Sequence, residues 1–210
     1  MKKPNRKKFS FLTDKEFDVL SKLDTPEKVQ DYVGAIPQNF EKNGGSCMSV
    51  REVLRTNRAH CIEGAILAAL AFSLHGQKPL LMDLEANDQD EDHVIALFKR
   101  DGCWGAISKG NHAYVRYRDP IYKTLRELAL SYFHEYYNTK GEKTLRAYSA
   151  PYALSHNKKE VWITGTDSWK IAEDLCDIKH YPFITKKQEK HLRPVDPIQM
   201  KITKYRVHTR

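Results

Sequence analysis

The residues best suited to chemistry lie in Asn57-Arg-Ala-His-Cys-Ile-Glu-Gly-Ala65, where Cys61 stands at the head of a long apolar stretch. If that stretch is a helix, the unpaired N–H groups of its first turn favour thiolate over thiol, and the thiolate is the nucleophile. The same placement also suits a cysteine that is only a small buried residue. His93 opens the next strand-like segment, where an imidazole facing Cys61 would accept the thiol proton; its plainer reading is a polar residue at a strand edge. A third group must orient that imidazole. A two-residue turn at Asp101-Gly102 pairs Arg100 with Cys103 and sets His93 opposite Gly110, so Ser108 shares the face of His93. Asn111 shares it only if the strand ends or bulges first, and Asp92 is the adjacent acid. The oxyanion of an acyl-transfer reaction would meet the Cys61 N–H and one further donor, with Gln38 and Asn39 preceding the helix. Cys47, after Gly44-Gly45-Ser46, lacks a buried helix behind it.

The elements that must position these groups follow from periodicity and punctuation. Thr13 and Glu16 form a capping box for a first helix ending near Leu23. Thr25-Pro26-Glu27 opens a second, with Gly34 as its stop. A central helix runs from about Arg58 to Leu74 and closes at Gly76; within Ile62 to Phe72 only Glu63 is charged, so it is buried on nearly every side. Pro79 to Met82 is short and apolar, and Asp83 to Asp92 reads as an acidic loop. His93 to Phe98 and Cys103 to Ile107 form a hairpin, and Ala113 to Tyr117 alternates like another strand. Asp119-Pro120 then caps a helix carrying Ile121, Leu125, Leu128 and Tyr132 on one face. Tyr148 to Leu154 and Val161 to Thr164 read as further strands, and Ser168 to Ile178 as a last helix, before a largely irregular tail.

Composition narrows the class. The chain has 210 residues, 40% hydrophobic and 30% charged, which suits one ordinary domain with appendages. The segments are a basic tail at 1–12, one domain at 13–185 and a basic tail at 186–210. The net charge of +8 sits at the ends: residues 1–8 carry five Lys or Arg, and residues 186–210 carry eight against two acids. The domain itself is mildly acidic, so a nucleic-acid reader is disfavoured and the tails are expected to bind polyanions only weakly. The longest apolar run, Gly64 to Phe72, is far short of the roughly 20 residues that span a bilayer, and no signal-peptide core forms, so a cytoplasmic location is expected. Four dispersed cysteines without a C-x-x-C pair are expected to be reduced thiols. The Asp88, Asp90, Asp92 alternation fails as a calcium loop at His93 and Lys99, and no motif calls for a metal or other cofactor.

Taken together, Cys61, His93, Trp104 and Ser108 resemble the transglutaminase-like branch of the papain-like cysteine enzymes over about residues 25 to 125. In that family a helix-start cysteine precedes a strand-start histidine, and a tryptophan-containing strand then carries an aspartate. Papain-type peptidases place the histidine ~130–150 residues after the cysteine; the interval of 32 here favours the compact transglutaminase-like core. The resemblance implies an α+β fold with the cysteine helix packed on an antiparallel sheet. It also implies thiol attack on an amide, peptide or isopeptide, through an acyl-enzyme resolved by water or an amine, as in a hydrolase or an acyltransferase. Ser108 stands where the family usually has aspartate; a hydroxyl accepts the imidazole N–H but supplies no negative charge. Trp104 is expected to wall the cleft near His93 or to pack the sheet. Two readings follow: Cys61, His93 and Ser108 catalyse on a peptide or other amide substrate, or a catalytically silent domain binds a peptide or protein partner in the same cleft.

Overall fold

The computed structural model describes residues 3–41 and 44–209. Thr13 and Glu16 close the expected capping box on α1, Asp14–Ser21. The second helix, α2, runs over Pro26–Ala35 from its Thr25 cap and passes through Gly34; it stops at Ile36, the extended residue ahead of Pro37. A short helix not expected from the sequence, α3, Val50–Thr56, is capped by Ser49 and ends at Asn57 in the left-handed conformation. That ending moves the start of the central helix α4 to Cys61–Leu74, three residues later than expected. Between the two helices Ala59 is extended, bonding the Pro37 carbonyl and the Asn39 N–H at 3.1 and 3.0 Å.

The sheet is mixed with helices in an α+β arrangement: seven strands, all paired antiparallel, in the order β4-β3-β2-β1-β5-β7 with β6 also on β1. The strands are β1 Leu80–Ala86, β2 His93–Arg100, β3 Cys103–Ser108, β4 Arg118–Tyr122, β5 Leu145–Ser149, β6 Tyr152–Ala153 and β7 His180–Pro182. The β2–β3 hairpin turns at Asp101 and Gly102, both at positive φ, with Arg100 opposite Cys103 and Ile95 opposite Ser108. Val94, Ala96 and Phe98 join the core beneath α4, while Ile95 and Leu97 join a second core with Leu128, Tyr132 and Phe133 on the other face. A sheet covered on both sides explains why β2 reads as a continuous apolar run. Helix α4 is buried along nearly its whole length, with α1, α2 and α3 around it and β2 beneath.

Several expected boundaries are corrected. The acidic segment begins inside β1, where buried Asp83 is bonded to His180 and the strand continues to Ala86. Ala113 to Tyr117 is a bent loop, with Val115 at φ 57°, instead of a strand. Asp119-Pro120 lies in β4 and caps no helix; β4 is an edge strand, the position where a residue without N–H is tolerated. Ile121 is consequently exposed, and the helix that follows, α5 Leu125–Leu130, starts from a Thr124–Glu127 capping box. Residues 160–164 form a helical turn and not a strand. The last full helix, α6 Trp169–Asp177, lies where expected. The C-terminal segment folds back on the body: Val195 is buried, and the Val207 and His208 N–H groups bond Asn111 O and Oδ1 at 3.1 and 2.7 Å. No helix among the described residues is long and apolar enough to cross a membrane.

Candidate active site

Cys61 is the first residue of α4, so its N–H has no acceptor within the helix. His93 opens β2, and Ser108 closes β3. The structure brings Cys61 and His93 to one cleft, with Ser108 buried behind His93. His93 Nε2 lies 2.8 Å from Ser108 Oγ, and Ser108 Oγ donates to the Val115 carbonyl at 2.6 Å. A hydroxyl has one proton; with that proton on Val115 O, Ser108 can only accept from His93. Nε2 therefore carries the hydrogen and Nδ1 is the imidazole's free base position. The Ser108 main chain is fixed in turn by Gln30 of α2, whose Oε1 accepts from Ser108 N and whose Nε2 donates to Ser108 O, both at 3.0 Å. This amide acts as a strand neighbour where β3 has lost one, a role that sequence periodicity does not reveal.

The other two candidates for orienting His93 are engaged elsewhere. Asp92 Oδ1 accepts the Ala86 N–H at 2.7 Å, and Asn111 is closed on the main chain of residues 207 and 208. Trp104 does not wall this cleft. It sits near the turn of the hairpin under Lys99, whose Nζ is 4.3 Å from the ring centroid, and lines a separate groove with His75 and Phe98.

A second imidazole, absent from the sequence expectation, borders Cys61. His60 Nδ1 is 3.9 Å from Cys61 Sγ, and its Nε2 is 2.8 Å from Ser46 O and 3.3 Å from Glu63 Oε1. Glu63 has no solvent exposure; it accepts from the His60 N–H, the Met48 N–H, Ser46 Oγ and Asn39 Nδ2 at 2.9 to 3.1 Å. Burial pulls its carboxyl up, but the bond and charge of the His60 ring, then the Met48 and His60 N–H groups, outweigh this and hold it at about 2. Burial disfavours a charged His60, but its bonds to Cys61 and Glu63 outweigh that and raise it to about 11. Burial likewise raises the Cys61 thiol, and the hydrogen bonds from His60 and His93 reverse this, leaving it well below the ordinary cysteine range. Cys47 is the contrast: burial pushes its thiol up to about 12. The signal for Glu63 was present in the sequence, because one charge inside an otherwise apolar buried helix must have partners.

The cleft holds about 240 Å³ and is bordered by Cys61, His93, Gln38, Asn111 and Tyr136, with Asp90 to Asp92 along the rim. Lys109 also borders it; its Nζ donates to Ile36 O at 2.6 Å, and burial lowers it to about 8. Its stem crosses α4 at Gly64, where a Cβ would come within 2.6 Å of Lys109 Cβ. Of the two residues expected near the oxyanion, Asn39 is committed to Ser46 and Glu63, whereas Gln38 keeps its Oε1 unpartnered and its Nε2 only 3.3 Å from Asn39 O. The arrangement can hold a thiolate, move a proton at His93 Nδ1 and present N–H donors at the start of α4. Scans of the sequence against protein-family models and against curated proteins found no match.

Proposed function

We propose that this chain is a transglutaminase-like cysteine enzyme that acts on an amide bond, peptide or isopeptide, through an acyl-enzyme on Cys61. The observation that carries the reading is the chain of bonds from His93 Nε2 through Ser108 Oγ to the Val115 carbonyl, which leaves Nδ1 free as a base beside an acidified thiol. Cys61 gives its thiol proton to His93 Nδ1, the thiolate attacks the carbonyl carbon, and the tetrahedral oxygen is met by the Cys61 N–H, with Gln38 Nε2 as second donor. The C–N bond breaks as the leaving amine takes a proton from His93. Water or an acceptor amine then attacks the thioester, giving its proton to His93 Nδ1, and the S–C bond breaks to restore Cys61. Ser108 orients the imidazole without the charge a carboxylate would add, so imidazolium is less stabilised than in a Cys-His-Asp site. That same neutral partner supports the second reading, a catalytically silent domain that binds a peptide or protein in this cleft.

The test is intact-protein mass spectrometry after mixing with an activated acetyl ester. The enzyme reading expects an acetyl adduct on Cys61 that decays in the parent and accumulates in His93→Ala. An absent adduct, or one whose lifetime ignores His93, refutes it and leaves the binding reading.

A further inference from the structure

The two imidazoles beside Cys61 are supported in opposite ways. His93 rests on a neutral hydroxyl that has already given away its proton. His60 Nε2 faces two acceptors, the Ser46 carbonyl and the Glu63 carboxylate, so that nitrogen carries a hydrogen, and Nδ1 faces the Cys61 sulfur. Once the sulfur is a thiolate it can only accept, and only the doubly protonated ring can donate on both sides. We infer that His60, held protonated by buried Glu63, is the permanent cation of the site and keeps Cys61 a thiolate, while His93, whose charge comes and goes, moves the protons. The thiol proton passes to His93 Nδ1, which later gives it to the leaving amine; His60 gives up none, its charge being balanced by Glu63.

Three features of the structure favour this division. Glu63 is sealed from solvent by donors from four residues, and among the described residues the cation paired with it is the His60 ring. His60 is the N-cap of α4, which fixes its ring beside the first helical residue, and that residue is the cysteine. Glu41 adds a second carboxylate 3.8 Å from His60 Nε2. The other titratable groups that face this cleft or bear on the cluster are His93 on β2, Cys47 on the loop before α3, Asp83 on β1, Asp90 to Asp92 before β2, Lys109 and His112 after β3 and Tyr136 after α5; of the three that can carry positive charge, Lys109 has its Nζ bound to Ile36 O, which leaves His93 and His112. A carboxylate therefore does serve this site, but it acts on the thiolate through His60, and the serine beside His93 is not a missing charge.

The inference rests on Cys61 being an activated thiol, and its test separates the two claims. Iodoacetamide alkylation of Cys61 is followed against pH by peptide mass spectrometry in the parent, His60→Gln and His93→Ala, with circular dichroism confirming the fold. The expected parent midpoint lies well below the ~8.5 of a free cysteine. His93→Ala should leave that midpoint within about one unit, while His60→Gln should raise it by about two units or more. The alkylation rate of His60→Gln near pH 6 should fall about tenfold, the smaller thiolate fraction being partly offset by a more nucleophilic sulfur. Ultraviolet thiolate absorbance against pH gives the same midpoints without a reagent, and Glu63→Gln should shift them in the same direction as His60→Gln. A midpoint that rises in His93→Ala and stays put in His60→Gln overturns the role of His60 and leaves an ordinary Cys61–His93 pair. An ordinary midpoint in the parent overturns both this inference and the enzyme reading.

Discussion

Ser108→Asp, which would install the carboxylate typical of Cys-His-Asp sites, is expected to damage this protein instead of improving it. Ser108 has no exposed surface, and its hydroxyl makes two bonds of opposite sense, accepting from His93 Nε2 at 2.8 Å and donating to Val115 O at 2.6 Å. A carboxylate can keep the first but not the second, so the Val115 carbonyl would face another acceptor and lose its partner at a cost of about 1–3 kcal/mol. Desolvating the new charge adds a further penalty that His93 repays only in part. A net loss of about 3 kcal/mol at neutral pH lowers the melting midpoint by about 9 °C for a chain of this size. The same loss sets the pH dependence, because a protonated carboxyl can donate to Val115 O and mimic serine. At 1.36 kcal/mol per unit, 3 kcal/mol places the new carboxyl about two units above its unfolded value, near 6. Its folded pKa being raised, the variant should match the parent below about pH 4 and lose stability as pH rises, with the full penalty above about pH 6. Urea unfolding at several pH values reads this directly. A variant as stable as the parent at neutral pH, with faster turnover of an activated ester, would refute the reasoning.

Two further perturbations test the supports of the site. Gly64→Ala places a methyl 2.6 and 2.9 Å from Lys109 Cβ and Cγ and 3.1 Å from Val33 Cγ1, so it should lower urea-unfolding stability by about 1–3 kcal/mol; an unchanged midpoint would mean that the Lys109 stem can move aside freely. Glu63 is held at about 2 against an ordinary 4.5, so its contribution is complete above about 4.5 and is lost as pH falls towards 2. At 1.36 kcal/mol per unit this removes about 3 kcal/mol across that acid limb, and Glu63→Gln should flatten the limb while being less stable than the parent at neutral pH.

Local chemistry made part of this legible in the sequence. The Asp101-Gly102 pair demanded positive φ at both turn residues, and with the turn fixed, counting along the hairpin put Ser108 on the face of His93, where it is found. Thr13 with Glu16 and Thr25 with Pro26 announced α1 and α2 in the same way. What escaped was decided by partners distant in the chain. Asp83 reads as a loop acid until His180, from β7, is placed beside it. Ala113 to Tyr117 alternates like a strand, but the carbonyl of Val115 is needed at Ser108 and its N–H at Glu135, which bends the segment out of the sheet. Gln30 and His60 carry no periodic signal at all, since each acts on groups distant from any pattern, Gln30 on the Ser108 main chain and His60 on Ser46 O, Glu63 and sulfur.

The closure of Asn111 on the main chain of residues 207 and 208 has a practical meaning for handling the protein. Residues 207–209 share a cavity of about 430 Å³ with Gln38, Asn39 and Glu41, which also border the cleft of Cys61. Anything fused after residue 209 therefore starts beside residues that border the thiol's cleft. A short flexible passenger there would see the cleft at an effective concentration on the order of millimolar, so a weak ligand that escapes detection in free solution becomes measurable when tethered.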